Sequence, residues 1–221
     1  MAVKCEFLRR SGAKQLLVFF NGWGMDATRT GVWELPDDTD LLVLSDYTEA
    51  PAPPPAEAAE YPRAILLAWS LGVWSAAAAG WSEALPPGPR IAVNGTLTPI
   101  DAAEGIAPAV FDGTLANWGR PETREKFSLR ISGTTAPVSE RSADSQAREL
   151  AALAARIRAL PTPPNPFTEV FCGRRDRIFP FSVQQAAWNR RPETEFHATE
   201  WLHDPFAHTE SRRELLTHVL R

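Results

Sequence analysis

The run PRAILLAWSLGVWSAAAAGW, Pro62 to Trp81, decides how the rest of the chain is read. From Ala64 to Trp81 it is just long enough to cross a bilayer, which takes about 18–20 apolar residues. Ser70, Gly72 and Ser75 interrupt it, and no basic cluster beyond Arg63 flanks it, so a membrane span fits poorly. A buried strand followed by a buried helix fits better. AILLAW has an ordinary strand length, and its unbroken apolar character marks a strand covered on both faces. LGVWSAAAAGW is rich in alanine, the best helix former.

Similar short apolar runs lie on either side: QLLVFF ending at Asn21-Gly22, LLVLSD (Leu41–Asp46), RIAVNG (Arg90–Gly95) and FTEVFCG (Phe167–Gly173). VKCEFL suits an edge strand and TEFHATE a final one. Crossover helices are expected over Asp26–Leu35, Leu71–Leu85 and Phe181–Arg191, with Ser211–Leu220 closing the chain. The prolines of YTEAPAPPPAEAAEYPR allow only a loop or short turn between Asp46 and Ala64. Strand, crossover and strand in succession imply an α/β fold with a mainly parallel twisted sheet flanked by helices. Residues 1–95 and 167–221 are expected to form its core. Residues 96–166 lack clear strands and contain ERSADSQARELAALAARIRAL, an apolar-periodic helix that Ser142 can cap. That segment reads as a helical lid inserted over the strand ends.

Composition narrows the function classes. The chain has 221 residues, 44% hydrophobic and 23% charged, with net charge −4. This suits one globular domain and gives no reason to expect nucleic acid or an anionic membrane as partner. Cys5 and Cys172 have no ligand spacing, so no disulfide framework, metal or cofactor is expected. A reducing cytoplasm is the expected compartment. The apolar run near the N-terminus follows two arginines but lacks a small-residue cleavage site, unlike a secretion signal.

In a parallel sheet the ligand site lies beyond the carboxyl ends of the strands. Ser70 stands there in AWSLG, a small-x-Ser-x-small pattern with Ala68 and Gly72 as the small residues. This is the pattern of a nucleophile elbow, a strand-to-helix turn so tight that its flanks must be small. A serine there also serves as a simple helix cap. NGWGM, Asn21 to Met25, ends an earlier strand. It offers the Trp23 N–H, beside that of Leu71, as an oxyanion donor. Asp176, in RRDRIFP, is the acid to orient a histidine, and Asp46 is the alternative. His203, in WLHDPFAH, follows the last expected strand. The order Ser70, Asp176, His203 is that of a hydrolase triad.

NGWGM, LSDYTE, AWSLGVW, AVNGTLTPIDAAEGI, FDGTL, GRRDRIFP and HDPF together resemble the BioG-type family over nearly the whole chain. These are pimeloyl-acyl-carrier-protein methyl ester esterases of biotin synthesis. GWG and HDPF are also similar to the functionally analogous BioH-type esterases, which have the α/β-hydrolase fold. The resemblance implies Ser70 as nucleophile, His203 as general base and then acid, and Asp176 as third member. It implies Trp23 and Leu71 as the oxyanion hole, and an acidic carrier protein bearing the pimeloyl methyl ester as partner. The Pro51–Pro55 run and KFSLRISG depart from the family pattern. Arg120, Arg124, Arg130, Arg148 and Arg156 are candidates to meet the carrier, with Lys126, Arg141 and Arg158 nearby. They serve equally as a solvated helix face. Trp118, Phe111 and Phe127 are candidates for an acyl pocket, or for packing against the core.

Overall fold

The computed structural model of the chain describes residues 3–137 and 139–221. Among these residues seven strands form one sheet: β1 (Lys4–Arg9), β2 (Gln15–Phe20), β3 (Thr39–Ser45), β4 (Arg63–Trp69), β5 (Arg90–Val93), β6 (Glu169–Gly173) and β7 (Glu195–Thr199). Their spatial order is β1-β3-β2-β4-β5-β6-β7. Only β1 runs antiparallel, against β3; the other pairings are parallel. Every residue of β2 and β3 is buried, as is β4 after Arg63. Their continuous apolar runs thus reflect cover on both faces.

Alternate residues go to opposite faces. Leu16, Val18, Phe20, Leu66 and Ala68 pack on one side with Trp74 and Trp81; Leu17, Phe19, Ile65, Leu67 and Trp69 pack on the other with Leu215 and Phe206. Each such large aliphatic or aromatic side chain contributes about 1.5–3 kcal/mol by its burial.

The helices are α1 (Leu71–Ala79), α2 (Trp81–Ala84), α3 (Pro108–Asn117), α4 (Pro121–Ser132), α5 (Ala143–Ala159), α6 (Phe181–Asn189) and α7 (Thr209–Val219). Two expected crossovers differ from the sequence reading. Asp26–Leu35 forms only a 3-10 turn, Ala27–Val32, because Thr28, Thr30, Gly31 and Val32 are weak helix formers. Leu71–Leu85 breaks at Gly80, whose left-handed φ of 67° ends α1. The Asp46–Ala64 link carries one short 3-10 turn, Ala56–Glu60. Among the described residues between β5 and β6 lie three helices where the periodicity pointed to one. The two others each begin with a proline at their first position, Pro108 and Pro121, where the missing N–H costs nothing. Ser142 caps α5, accepting from the Ser145 N–H. Among the described residues no helix is long and apolar enough to cross a membrane.

Candidate active site

The turn from β4 into α1 carries Ser70 at φ 58° and ψ −128°, a conformation that non-glycine residues rarely adopt. Two glycines make room for it. A Cβ on Gly72 would lie 2.4 Å from the carbonyl oxygens of Phe20 and Asn21, and one on Gly95 2.4 Å from that of Ser70. The serine is therefore wedged among β2, β4 and the exit of β5. Leu71 opens α1, so its N–H has no carbonyl one turn back to bond.

His203 lies in the loop after β7 and is 1% exposed. Its carbonyl accepts from Trp69 Nε1 and from Asn94 Nδ2, both at 2.8 Å. Its ring stacks against Phe179, with centroids 5.9 Å apart. Nε2 is 2.9 Å from Ser70 Oγ, and Nδ1 is 2.9 Å from Asp176 Oδ2. Asp176 also accepts from the N–H groups of Ile178 (2.7 Å) and Phe179 (2.9 Å) and from Gln184 Nε2 (3.1 Å). An ionised carboxylate only accepts, so Nδ1 carries the imidazole proton and the Nε2 lone pair faces the serine hydroxyl. Asp46, the alternative acid, is engaged elsewhere. It pairs with Arg141 at 3.0 Å and accepts from Thr48 Oγ1 at 2.6 Å.

The NGWGM loop faces this group. Trp23, Gly22, Ser70, Leu71 and His203 line one cavity. The Trp23 ring is fixed from behind. Its Nε1 donates to the Gln146 carbonyl at 2.8 Å, and it packs on Trp118 and Phe127. Gln146 Nε2 returns a bond to the Gly24 carbonyl at 3.0 Å, and the Gly24 N–H donates to Glu149 at 3.1 Å. Glu149 is fully buried and also accepts from the Tyr47 N–H (3.0 Å) and Arg141 (2.5 Å). Burial pushes its carboxyl above the ordinary range, opposed by the Arg141 charge and by these hydrogen bonds. Glu149 and Gln146 thus clamp α5 to the loops after β2 and β3, a role the sequence reading did not assign them.

The structure sorts the remaining candidates. Phe111 and Phe127 line the cavity, whose free volume is ≈ 60 Å³. Trp118 stands behind Trp23, bonded to Gln146 Oε1 at 3.1 Å, and is not on the cavity wall. Arg130 is exposed and lines the cavity; it is joined there by Arg177, which the sequence reading passed over. Arg120 and Arg148 are exposed. Arg124 donates to the Trp118 carbonyl at 2.9 Å, and Arg156 donates to the carbonyls of Tyr47 and Thr48. Those two guanidinium groups bind the protein's own backbone, which limits what they can offer a partner. Of the other histidines, His208 faces the Ser132 carbonyl, and His197 and His218 both approach Glu169, away from Ser70. The Cys172 thiol is held well above its ordinary pKa by burial and the Asp176 charge, so it is a poor rival nucleophile.

A family model described as pimeloyl-ACP methyl esterase BioG matches residues 3–212. The crystal structure of BioG from Haemophilus influenzae superposes with a TM-score of 0.81 at 30% identity, covering 94% of this chain and 98% of that one. A Bacteroides fragilis protein named malonyl-[acyl-carrier protein] O-methyltransferase is 34% identical over 184 residues, 80% of this chain but 37% of its own length. An uncharacterised Haemophilus influenzae protein is 36% identical over 138 residues, 61% of this chain and 60% of its own. The chain therefore spans less than two thirds of these two curated relatives. At the level of fold alone, an enol-lactonase from Burkholderia xenovorans superposes with a TM-score of 0.69 at 14% identity, covering 99% of this chain and 95% of that one. The architecture is that of the α/β-hydrolases, and the family model that matches residues 3–212 describes an esterase family.

Proposed function

The chain belongs to the BioG family, and on that premise we propose that it hydrolyses the methyl ester of a pimeloyl group carried by acyl-carrier protein, a step of biotin synthesis in the cytoplasm. The observation that carries the reading is the hydrogen-bonded line from Asp176 through His203 to Ser70, with 2.9 Å at each link, ending at an apolar cavity.

The reaction follows from that line. His203 Nε2 takes the hydroxyl proton as Ser70 Oγ attacks the ester carbonyl carbon. Asp176 stabilises the imidazolium without accepting its proton. The negative charge formed on the carbonyl oxygen is met by the N–H groups of Leu71 and Trp23. When the tetrahedral adduct collapses, the C–O bond to the methoxy group breaks and His203 returns the proton, releasing methanol. Water, deprotonated by the same nitrogen, then cleaves the acyl-serine and leaves a free carboxylate on the carrier-bound chain. Residues 96–166 act as a lid that shields the ester from bulk water. Arg120, Arg130, Arg148 and Arg177 are exposed, the second and fourth at the cavity, and offer cations to an acidic carrier.

Intact-mass spectrometry of carrier protein bearing pimeloyl methyl ester tests this. The reading expects the carrier to lose the mass of one methylene with this protein and to keep it with Ser70→Ala. Cleavage of free short esters or thioesters with no turnover of the carrier-bound ester would instead indicate a general small-ester or thioester hydrolase. Failure of Ser70 to label with a fluorophosphonate would indicate a silent scaffold.

A further inference from the structure

At the other end of β6 from Asp176 lies a second set of chemically competent side chains. Glu169 opens β6, His197 is central in β7, and His218 lies in the last turn of α7. Glu169 Oε2 is 2.6 Å from His218 Nε2 and 3.3 Å from His197 Nε2, and all three donor atoms fall within 4.8 Å of one another. Glu169 and Gly173 are four residue steps apart along the strand, about 13 Å at the usual rise, so this cluster is distinct from the Ser70 site.

The surroundings favour a bound ion over a chance meeting of side chains. Glu169 pairs with Glu195 in register, and Phe171 with His197, so these four residues share one face of the sheet. Phe171 is an apolar floor. It stacks on His197 at 4.4 Å and meets His218 edge-on at 4.9 Å, fixing both imidazole planes. Glu195 Oε1 is 3.6 Å from His197 Nε2, close enough to supply a second carboxylate. The three side chains are 20–38% exposed, so water can reach the open positions. Two imidazoles and a carboxylate at bonds of about 2.0–2.2 Å are donors that zinc accepts in tetrahedral geometry, which spaces ligand atoms roughly 3.3 Å apart. The separations here bracket that value.

We propose that Glu169, His197 and His218 form a binding site for a divalent transition-metal ion of the zinc type, with water or Glu195 completing the coordination. Bound there, the ion ties the last helix to the β6–β7 edge of the sheet, and its effect falls on stability and not on ester chemistry. Zinc titration calorimetry on the metal-stripped full chain tests this. One saturable site is expected, with a rise in melting temperature on loading. Glu169→Gln and His218→Gln should each weaken binding at least about tenfold, while esterase activity without added metal stays as in the wild type. His203→Ala and Cys5→Ser should leave the affinity unchanged. X-ray absorption of the wild-type zinc complex, which needs no variant to fold, should show two imidazole nitrogens and no sulfur on the metal. Lack of saturation at millimolar zinc, binding that survives both glutamine variants, or sulfur ligation would overturn the proposal.

Discussion

Asn94 holds His203 by its backbone. The amide Nδ2 donates to the carbonyls of Leu202 (2.9 Å) and His203 (2.8 Å), while Oδ1 accepts from the Gly173 N–H at 2.7 Å. One side chain at the exit of β5 therefore sets the spacing between the loop bearing Asp176 and the loop bearing His203. Its own φ of 46° suits asparagine better than most residues. Asn94→Ala is expected to lower kcat roughly 10- to 100-fold, since an ångström of misplacement has effects of that size. KM for a short p-nitrophenyl ester should hardly move. Steady-state kinetics decides it, and a wild-type kcat would show that the loop keeps its place unaided.

Loss of members of the Ser70–His203–Asp176 line should not be additive. Ser70→Ala and His203→Ala should each reduce turnover at least about 10⁴-fold, and the double variant should fall little further. Asp176→Asn, which offers Nδ1 a donor and reverses the tautomer, should cost about 10⁴-fold. The check is a p-nitrophenyl ester assay on all four proteins, each first shown folded by circular dichroism. A strictly multiplicative double variant would mean that the residues work separately.

The strain at Ser70 should be measurable as stability. Ser70→Gly relieves the unfavourable backbone that Ser70→Ala retains, so the glycine variant should be the more stable of these two inactive proteins by about 1 kcal/mol or more. Gly72→Ala forces a methyl group against two carbonyl oxygens and should cost about 3 kcal/mol. Urea melts of the three variants give the comparison; equal stability of the two Ser70 variants would argue against strain.

Arg141 pairs with both Glu149 and Asp46 and is 7% exposed. Arg141→Ala removes the cation bonded to the buried Glu149 carboxylate and should destabilise the protein by about 3–5 kcal/mol. Glu149→Gln keeps the shape and removes the charge, so it should cost less. Denaturant titration of both variants would expose an error if the order were reversed.

Asp40 gives the clearest pH effect. Burial raises its pKa, but hydrogen bonds from the Ser11 N–H and hydroxyl, Tyr61 and the Ala13 N–H outweigh this and hold it at about 2. A carboxyl depressed in the folded state adds stability above its unfolded pKa of about 3.9, and loses it as pH falls through the folded value. About 2 kcal/mol should therefore disappear between about pH 4 and pH 2. Asp40→Asn should be less stable at neutral pH and show a flatter stability profile through that window. A parallel profile would sever the link to Asp40.

Much of this could be read from the sequence because its signals are local. A strand buried on both faces is a continuous apolar run, and the elbow needs small residues beside Ser70. Chain order singles out Asp176 and His203, since each follows a strand in a parallel sheet. What escaped is non-local. Glu149 is one acid among several on an amphipathic helix until Gly24, Tyr47 and Arg141 close around it. Trp118 and Phe127 look alike in sequence, and only packing puts one behind Trp23 and the other on the cavity wall. Asn94 left a faint trace, an Asn-Gly pair at a strand exit, where a left-handed residue is common.

The grip of α5 on the sheet determines which part of the molecule can yield. Gln146, Glu149 and Arg156 fasten α5 to the loops after β2 and β3, and the Ile131 carbonyl fastens the end of α4 to Asp204 beside His203. By contrast, the Arg158–Asp112 pair between α5 and α3 is roughly half exposed and worth about 1 kcal/mol or less. The part with the weaker ties is α3 with the first turns of α4, a flap beside a fixed post, and Phe111 on that flap lines the cavity.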